Sequence, residues 1–209
     1  MTKLSPTHKI TLVVASGNPG KFKEIAALLH GLDVLLLPLD RVGPIEVPPE
    51  SGESFQENAC IKATAVARAT GCLALADDSG LEVDALCGAP GVLSARYGGA
   101  TATDADRNRL ILEKLSGVSR EQRTARFRCV VAIADPRGAV KVAEGIFEGR
   151  ITEAPRGSSG FGYDPIFEIP SLGKSFAEVG PETKNRLSHR AKAMACARTI
   201  LEEILAKGV

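Results

Sequence analysis

The run Leu73-Ala74-Leu75-Ala76-Asp77-Asp78-Ser79-Gly80 sets two adjacent carboxylates at the end of an apolar segment. Residues 73–76 have the character of a buried strand, and Gly80 is expected to make a sharp turn. Successive strand side chains point to opposite faces, so one of Asp77 and Asp78 is directed toward a core. A carboxylate there must be hydrogen-bonded, ion-paired or metal-bound. Asp, Ser and Gly are also ordinary turn residues. Taken alone, the stretch is as well read as a strand-to-turn junction as a site.

The rest of the chain supplies an α/β frame. Ile10-Thr11-Leu12-Val13-Val14-Ala15 reads as a buried strand. Ser16-Gly17-Asn18-Pro19-Gly20-Lys21 follows, and then a helical pattern from Phe22 to Leu29. Strand, glycine-bearing loop and helix is a layout that offers backbone N–H groups to an anion. It is equally the layout of a plain β-α turn. It is neither a Walker loop nor a dinucleotide fingerprint, because the spacing of glycines and lysine is wrong for both. Residues 33–37 form a second short strand, and the proline-rich segment from Arg41 to Gly52 forms a loop whose acids, Glu46 and Glu50, read most simply as solvated charges.

Ser54-Phe55-Gln56-Glu57 is a capping box for a helix to about Thr70, with Phe55, Ala59, Ala63, Val66 and Ala67 as its apolar stripe. Asn58 and Lys62 share one face, by default an exposed polar one. Leu81 to Leu86 alternates like a separate half-buried strand, and Thr103 opens another helix. Residues 125–134 and 139–147 flank the turn Asp135-Pro136-Arg137-Gly138 and predict an antiparallel hairpin.

Two later segments carry chemistry. Gly157 to Pro165 sets Phe161 and Tyr163 among three glycines and two serines, a composition suited to stacking on a base. Lys184, Arg186, His189 and Arg190 lead into a long helix for which Ser188 is the expected N-cap and Met194, Ala197, Leu201 and Leu205 the buried stripe. Cations at a helix N-terminus oppose its dipole. An anionic ligand would offset that; a solvated basic face is the alternative.

Net charge is only +1, from 26 basic and 25 acidic residues, against a general nucleic-acid binder. The five cysteines have neither zinc nor redox spacing, so reduced thiols and a cytoplasmic location are expected, with Cys60, Cys129 and Cys196 as core side chains. Met1 to His8 is polar and reads as no signal peptide, and no apolar run has membrane-spanning length. The 209 residues are expected to form a single domain, 1–209.

These blocks together resemble the inosine triphosphate pyrophosphatase family, whose members hydrolyse ITP, dITP and XTP to the monophosphate and pyrophosphate. The resemblance rests on Ser16 to Lys21, Glu57-Asn58-Ala59 with Lys62, and Ala76 to Leu81. It continues through Gly88 to Gly91 with Ser94 to Tyr97, Gly160 to Pro165, and Ser188-His189-Arg190, all in the family's order. It implies an elongated α/β domain on a long curved mixed β-sheet, with helices on both sides, two lobes and a central cleft. It also implies a homodimer and Mg²⁺ as cofactor; no nucleic-acid or membrane partner is expected, from the charge balance and the lack of a long apolar run.

Position by position, the resemblance assigns Ser16, Gly17, Asn18, Pro19, Gly20 and Lys21 to the phosphate and sugar region. Lys62 would meet the triphosphate, and Ser79 the substrate. Asp78 would be both metal ligand and proton acceptor for the attacking water, supported by Asp77. Phe161, Gly162, Tyr163, Asp164, Lys184, His189 and Arg190 would hold the nucleotide, chiefly its base. A further metal-binding acid is expected from the proline-rich loop. Glu46 and Glu50 both qualify, and Glu50 is preferred as nearer the Gly52 and Ser54 anchor. The alternatives are a pyrophosphatase for another modified nucleotide and a non-catalytic nucleotide sensor.

Overall fold

The computed structural model describes residues 9–207; the Met1 to His8 leader expectation lies outside them. Seven strands form one mixed sheet in the order β2-β1-β3-β4-β5-β6-β7. These are β1 (Ile10–Val14), β2 (Val34–Pro38), β3 (Leu73–Val83), β4 (Thr124–Ala134), β5 (Val140–Ile151), β6 (Phe167–Ile169) and β7 (Lys174–Ser175). The β2-β1-β3 end is parallel and everything beyond β3 antiparallel. The helices are α1 (Pro19–Leu28), α2 (Phe55–Thr70), α3 (Asp104–Lys114), α4 (Pro181–Leu187) and α5 (His189–Lys207).

The twofold alternation of the strands sorts the core. Leu12, Val14, Leu73 and Leu75 pack with Ile25 of α1 and Met194, Ala197 and Leu201 of α5. Val13, Ala15, Ala74 and Ala76 face the other way, onto Ala59, Ala63 and Val66 of α2. The mixed sheet with helices on both sides is therefore as expected. A separate cluster lies farther along β3 and β4, where Leu81, Val83, Ala125 and Phe127 meet Ile111, Tyr163, Ile166 and Phe167. Residues 77–80 lie between the two groups, at the waist of the molecule.

Here the structure corrects the reading of Gly80. It makes no turn: β3 runs unbroken from Leu73 to Val83, and Gly80 pairs with Arg128 of β4. The reason for glycine is space, since a Cβ there would stand 2.4 Å from Ser94 Oγ and 2.6 Å from the Gly91 carbonyl oxygen. Leu81 to Val83 accordingly extends the same strand, and the chain then turns through a short 3-10 segment at Asp84–Leu86.

Smaller differences follow the same logic of local partners. Ser54 Oγ does accept the Glu57 N–H at 3.1 Å, but the Glu57 carboxylate accepts from Glu53 N rather than closing the box on Ser54. Asn58 and Lys62 are buried, not an exposed face. Cys129 is buried, Cys60 half-buried and Cys196 exposed, on the solvent side of α5; all five thiols are unpaired. No described helix is long and apolar enough to cross a membrane.

Candidate active site

Alternation along β3 separates the two acids. Asp77 turns toward α1 and α5, where its Oδ2 accepts from Arg190 Nη2 at 3.1 Å and from Ser79 Oγ at 3.2 Å, with Lys21 Nζ also at 3.1 Å. Burial alone would raise its pKa, but the Lys21 and Arg190 charges outweigh that and hold the carboxyl well below the usual carboxylate range. Asp78 turns to the α2 side. Its Oδ1 accepts from Lys62 Nζ at 3.1 Å, and its Oδ2 is buried without a partner. Asp77, expected to support a metal beside Asp78, thus has its side chain on the opposite face of the sheet and is committed to cations there.

Lys62 reaches this point from one α-helical turn beyond Asn58. Its Nζ also donates to Glu50 Oε1 at 2.8 Å and to the Asp77 carbonyl at 3.0 Å. Of the two loop acids it is Glu50 that joins the centre; Glu46 is exposed. The C-terminal end of the loop is pinned twice, by Asn58 Oδ1 accepting the Gly52 N–H at 2.8 Å and by Arg96 donating to the Glu50 carbonyl at 3.0 Å. Burial and the Glu50 charge raise the Asp78 pKa against the opposing pull of Lys62. Glu50 itself is lowered: its burial is outweighed by Lys62.

The Ser16–Lys21 loop is more self-satisfied than an anion cradle should be. Asn18 caps α1, and its Oδ1 takes the N–H groups of Gly20 and Lys21 at 2.8 and 3.2 Å. Those two backbone donors are therefore occupied. Lys21 Nζ is the loop's charge facing the cleft floor. Gly20 serves packing, since a Cβ there would approach the Phe161 ring to 2.9 Å.

Phe161 and Tyr163 part company as well. Phe161 is half-buried, with Lys184 Nζ 4.5 Å from its ring centroid. Tyr163 is fixed in the core, its hydroxyl donating to the Ser94 carbonyl at 2.8 Å, although it still borders the cleft. Asp164 Oδ2 accepts the Phe161 N–H at 2.9 Å and Lys184 Nζ at 2.6 Å.

The basic segment needs no anion to balance it. Lys184 and Arg190 are both buried and paired with Glu24 of α1 as well as with Asp164 and Asp77. Glu24 is the acid that sequence reading passed over; its position three residues after Lys21, on one helical face, was the available signal. Ser188 Oγ caps α5 as expected, accepting from Ala191 N at 3.1 Å. His189 stacks on Phe127, with ring centroids 4.7 Å apart. Its burial, reinforced by the Arg190 and Lys184 charges, pushes its pKa well below the usual histidine value, so the ring is neutral. Arg186 is exposed and outside the site.

These elements enclose a cleft of about 580 Å³, within the size range of small-molecule sites. Gly17, Asn18, Pro19 and Lys21 form one wall, and Glu50, Asp78 and Ser79 the floor. Phe161, Gly162, Tyr163, Asp164, Lys184, His189 and Arg190 close the far side. Ser16, Gly20, Lys62 and Asp77 stand behind these surfaces. The cleft is also lined by Ser94, Asp104, Arg107 and Phe127, which the sequence reading did not assign.

The Ham1 family model matches residues 12–200. The chain belongs to the Ham1 family. A dITP/XTP pyrophosphatase of Thermus thermophilus is 52% identical over 191 residues, covering 91% of this chain and 90% of the relative. The dITP/XTP pyrophosphatase of Bacillus subtilis is 45% identical over 190 residues, covering 91% and 96%. Among solved structures, a HAM1 protein from Coxiella burnetii superposes with a TM-score of 0.85 at 43% identity, covering 93% of this chain and all of that one. The Ham1 match runs from β1 into α5, and so includes every side chain of the cleft.

Proposed function

We propose that this chain is a nucleoside triphosphate pyrophosphohydrolase for deaminated purine nucleotides (ITP, dITP and XTP), releasing the monophosphate and pyrophosphate. The observation that carries the reading is one cleft with opposed ends. Asp78, Glu50 and Lys62 meet at one end, and Phe161, Lys184 and His189 at the other. A triphosphate suits the first end and a purine base the second. Relatives 52% and 45% identical to the chain are named dITP/XTP pyrophosphatases.

In this reading Asp78 accepts a proton from a water that attacks the α-phosphorus, and pyrophosphate departs. Asp78 is placed for this role, with Oδ1 held by Lys62 and Oδ2 buried without a partner. Lys21 and Lys62 balance charge gathering on the phosphate oxygens. Mg²⁺ prefers one or two carboxylates completed by water and substrate phosphates. Asp78, with its unpartnered Oδ2, and Glu50 fit that donor set; among the described residues no cluster of three or more such ligands occurs. When bound, the ion supplies positive charge at the phosphate chain and polarises a phosphoryl oxygen.

Base selection follows from donor placement. Hypoxanthine and xanthine present an acceptor at the 6-position where adenine presents a donor. Lys184 borders the cleft and, with two of its three N–H groups given to Glu24 and Asp164, keeps one donor that adenine would leave unpaired, a mismatch that can discriminate by up to about 10⁴-fold. The reading extends to a homodimer, on the family resemblance, and to the cytoplasm, on the unpaired thiols. The test is pyrophosphate release from ITP, XTP, GTP and ATP, with and without Mg²⁺. Metal-dependent release favouring ITP and XTP is expected. Nucleotide binding without turnover would instead make the protein a sensor, and preference for a modified pyrimidine triphosphate a different pyrophosphatase.

A further inference from the structure

The Gly157–Gly162 segment ends in a wall, Phe161 and Gly162, with space on both sides. In front lies the nucleotide cleft, and behind it a second cavity of about 590 Å³ bordered by Asn108, Leu112, Pro155 and Pro165. Packing holds Gly157 against the Ala177 backbone and Phe161 against Gly20, but it leaves the Gly162 end of the segment open, since a Cβ there would meet nothing within 4 Å. Its glycines have much conformational freedom to lose, and Gly160 and Gly162 both sit at positive φ, +82° and +63°.

Polar contacts fix it instead, and two come from one helix face. Asp104 and Asn108, four residues apart on α3, hold both sides of one residue's backbone. The Gly162 N–H donates to Asp104 Oδ2 at 2.8 Å, and Asn108 Nδ2 donates to the Gly162 carbonyl at 3.1 Å. Asn108 is almost wholly buried, and this carbonyl fixes which way its amide faces. Arg107 completes the device. It pairs with Asp104 Oδ1 at 2.6 Å and donates to the Ala95 and Ala102 carbonyls, tying the first turn of α3 to the segment beside Tyr97.

We infer that Asp104 and Asn108 are positioning residues for the base end of the cleft: by gripping Gly162 they set the plane and depth of the neighbouring Phe161 ring. The inference rests on the reading of the cleft as a nucleotide site. Neither side chain touches the acid–lysine end, so releasing the clamp weakens substrate binding and leaves the chemical step in place. An Asp at position 108 keeps the shape of Asn but faces an acceptor against the Gly162 carbonyl. An Asn at position 104 still offers an oxygen to the Gly162 N–H.

The experiment measures pyrophosphate release from ITP, and hydrogen exchange at the Gly162 amide, for wild type, Asn108→Asp, Asp104→Ala and Asp104→Asn. Asn108→Asp and Asp104→Ala are expected to raise KM about tenfold with kcat within about twofold, the size of one lost hydrogen bond. Gly162 exchange should quicken in Asp104→Ala and recover, with KM, in Asp104→Asn. Unchanged KM in both disrupting variants, or kcat falling as far as KM rises, overturns the inference. Unchanged Gly162 exchange in Asp104→Ala overturns it independently of turnover. A wild type that hydrolyses no nucleotide, yet shows the exchange pattern, removes the nucleotide reading and the role assigned to the clamp, leaving the clamp itself.

Discussion

Arg190 and Asp77, 113 positions apart in the chain, meet in the interior with almost no exposure of either, Nε and Nη2 both directed at one carboxylate oxygen at 3.3 and 3.1 Å. The pair fastens the first turn of α5 to the middle of β3, directly beneath Ser79, whose hydroxyl also accepts from Nη2 at 2.9 Å. Removing one partner of such a pair strands a buried charge, which costs about 3–5 kcal/mol. Asp77→Ala and Arg190→Ala should each lose about that much in urea unfolding. The double variant should lose less than the sum. Fully additive losses would show that the two charges act separately. For the same reason Arg190→Ala is a poor probe of base selection, and His189→Ala the better one.

Asp78 sits one residue away and has a different role. Asp78→Asn is expected to lower turnover at least about 10²-fold, the range of a lost general base. A cooperative melt and ITP binding should persist, because Asp77 on the other face keeps its partners. Pyrophosphate release beside calorimetric ITP titration checks this, and near-normal turnover would remove Asp78 from the reaction.

His189 predicts a pH dependence. Its folded pKa lies well below the ordinary value of about 6.5. The unfolded chain therefore binds a proton that the folded one refuses, and stability falls as pH drops below about 6.5 until the folded pKa is reached. The slope from this group approaches about 1.4 kcal/mol per pH unit. Asp77, whose folded pKa is depressed, adds its own loss only at lower pH, beginning below about 3.9. Denaturant midpoints between pH 7 and pH 5 should show the histidine slope, and His189→Gln should flatten it.

Gly80→Ala tests the close approach at the waist. The added methyl would press on Ser94 Oγ and on the Gly91 carbonyl, and overpacking of this kind costs about 1–3 kcal/mol. Ser94 also receives the Leu81 N–H at 2.9 Å, so strand and loop should loosen together. Thermal unfolding measures the loss; an unaltered melting temperature would mean the loop yields freely.

Strands and helices were legible wherever apolar periodicity was long, as in β1, α2 and the β4–β5 hairpin. The acid pair, the aromatic loop and the basic entry to α5 were legible as chemistry because unusual residues were grouped in sequence. What stayed hidden was partnership across the chain. Gly80 looked like a turn because glycine marks turns and close approaches alike, and only Ser94 in space separates the two. Asn58 and Lys62 looked solvated because nothing in α2 announces Gly52, Glu50 or Asp78 as neighbours. The cations at 184–190 looked in need of an anion because Glu24 lies 160 residues upstream of Lys184, and its spacing from Lys21 marks a helix face without naming the partner.

The unbroken course of β3 through the waist has a further consequence. β3 and β4 are each eleven residues long and carry side chains of both core groups. Neither half of the molecule therefore holds the whole of β3 or β4. A chain divided at residues 77–80 would give two fragments that each expose a severed ladder, with no autonomous fold to recover. The intact protein should accordingly melt in one calorimetric transition, and its cleft should open by movement of the surrounding loops rather than by a hinge between halves.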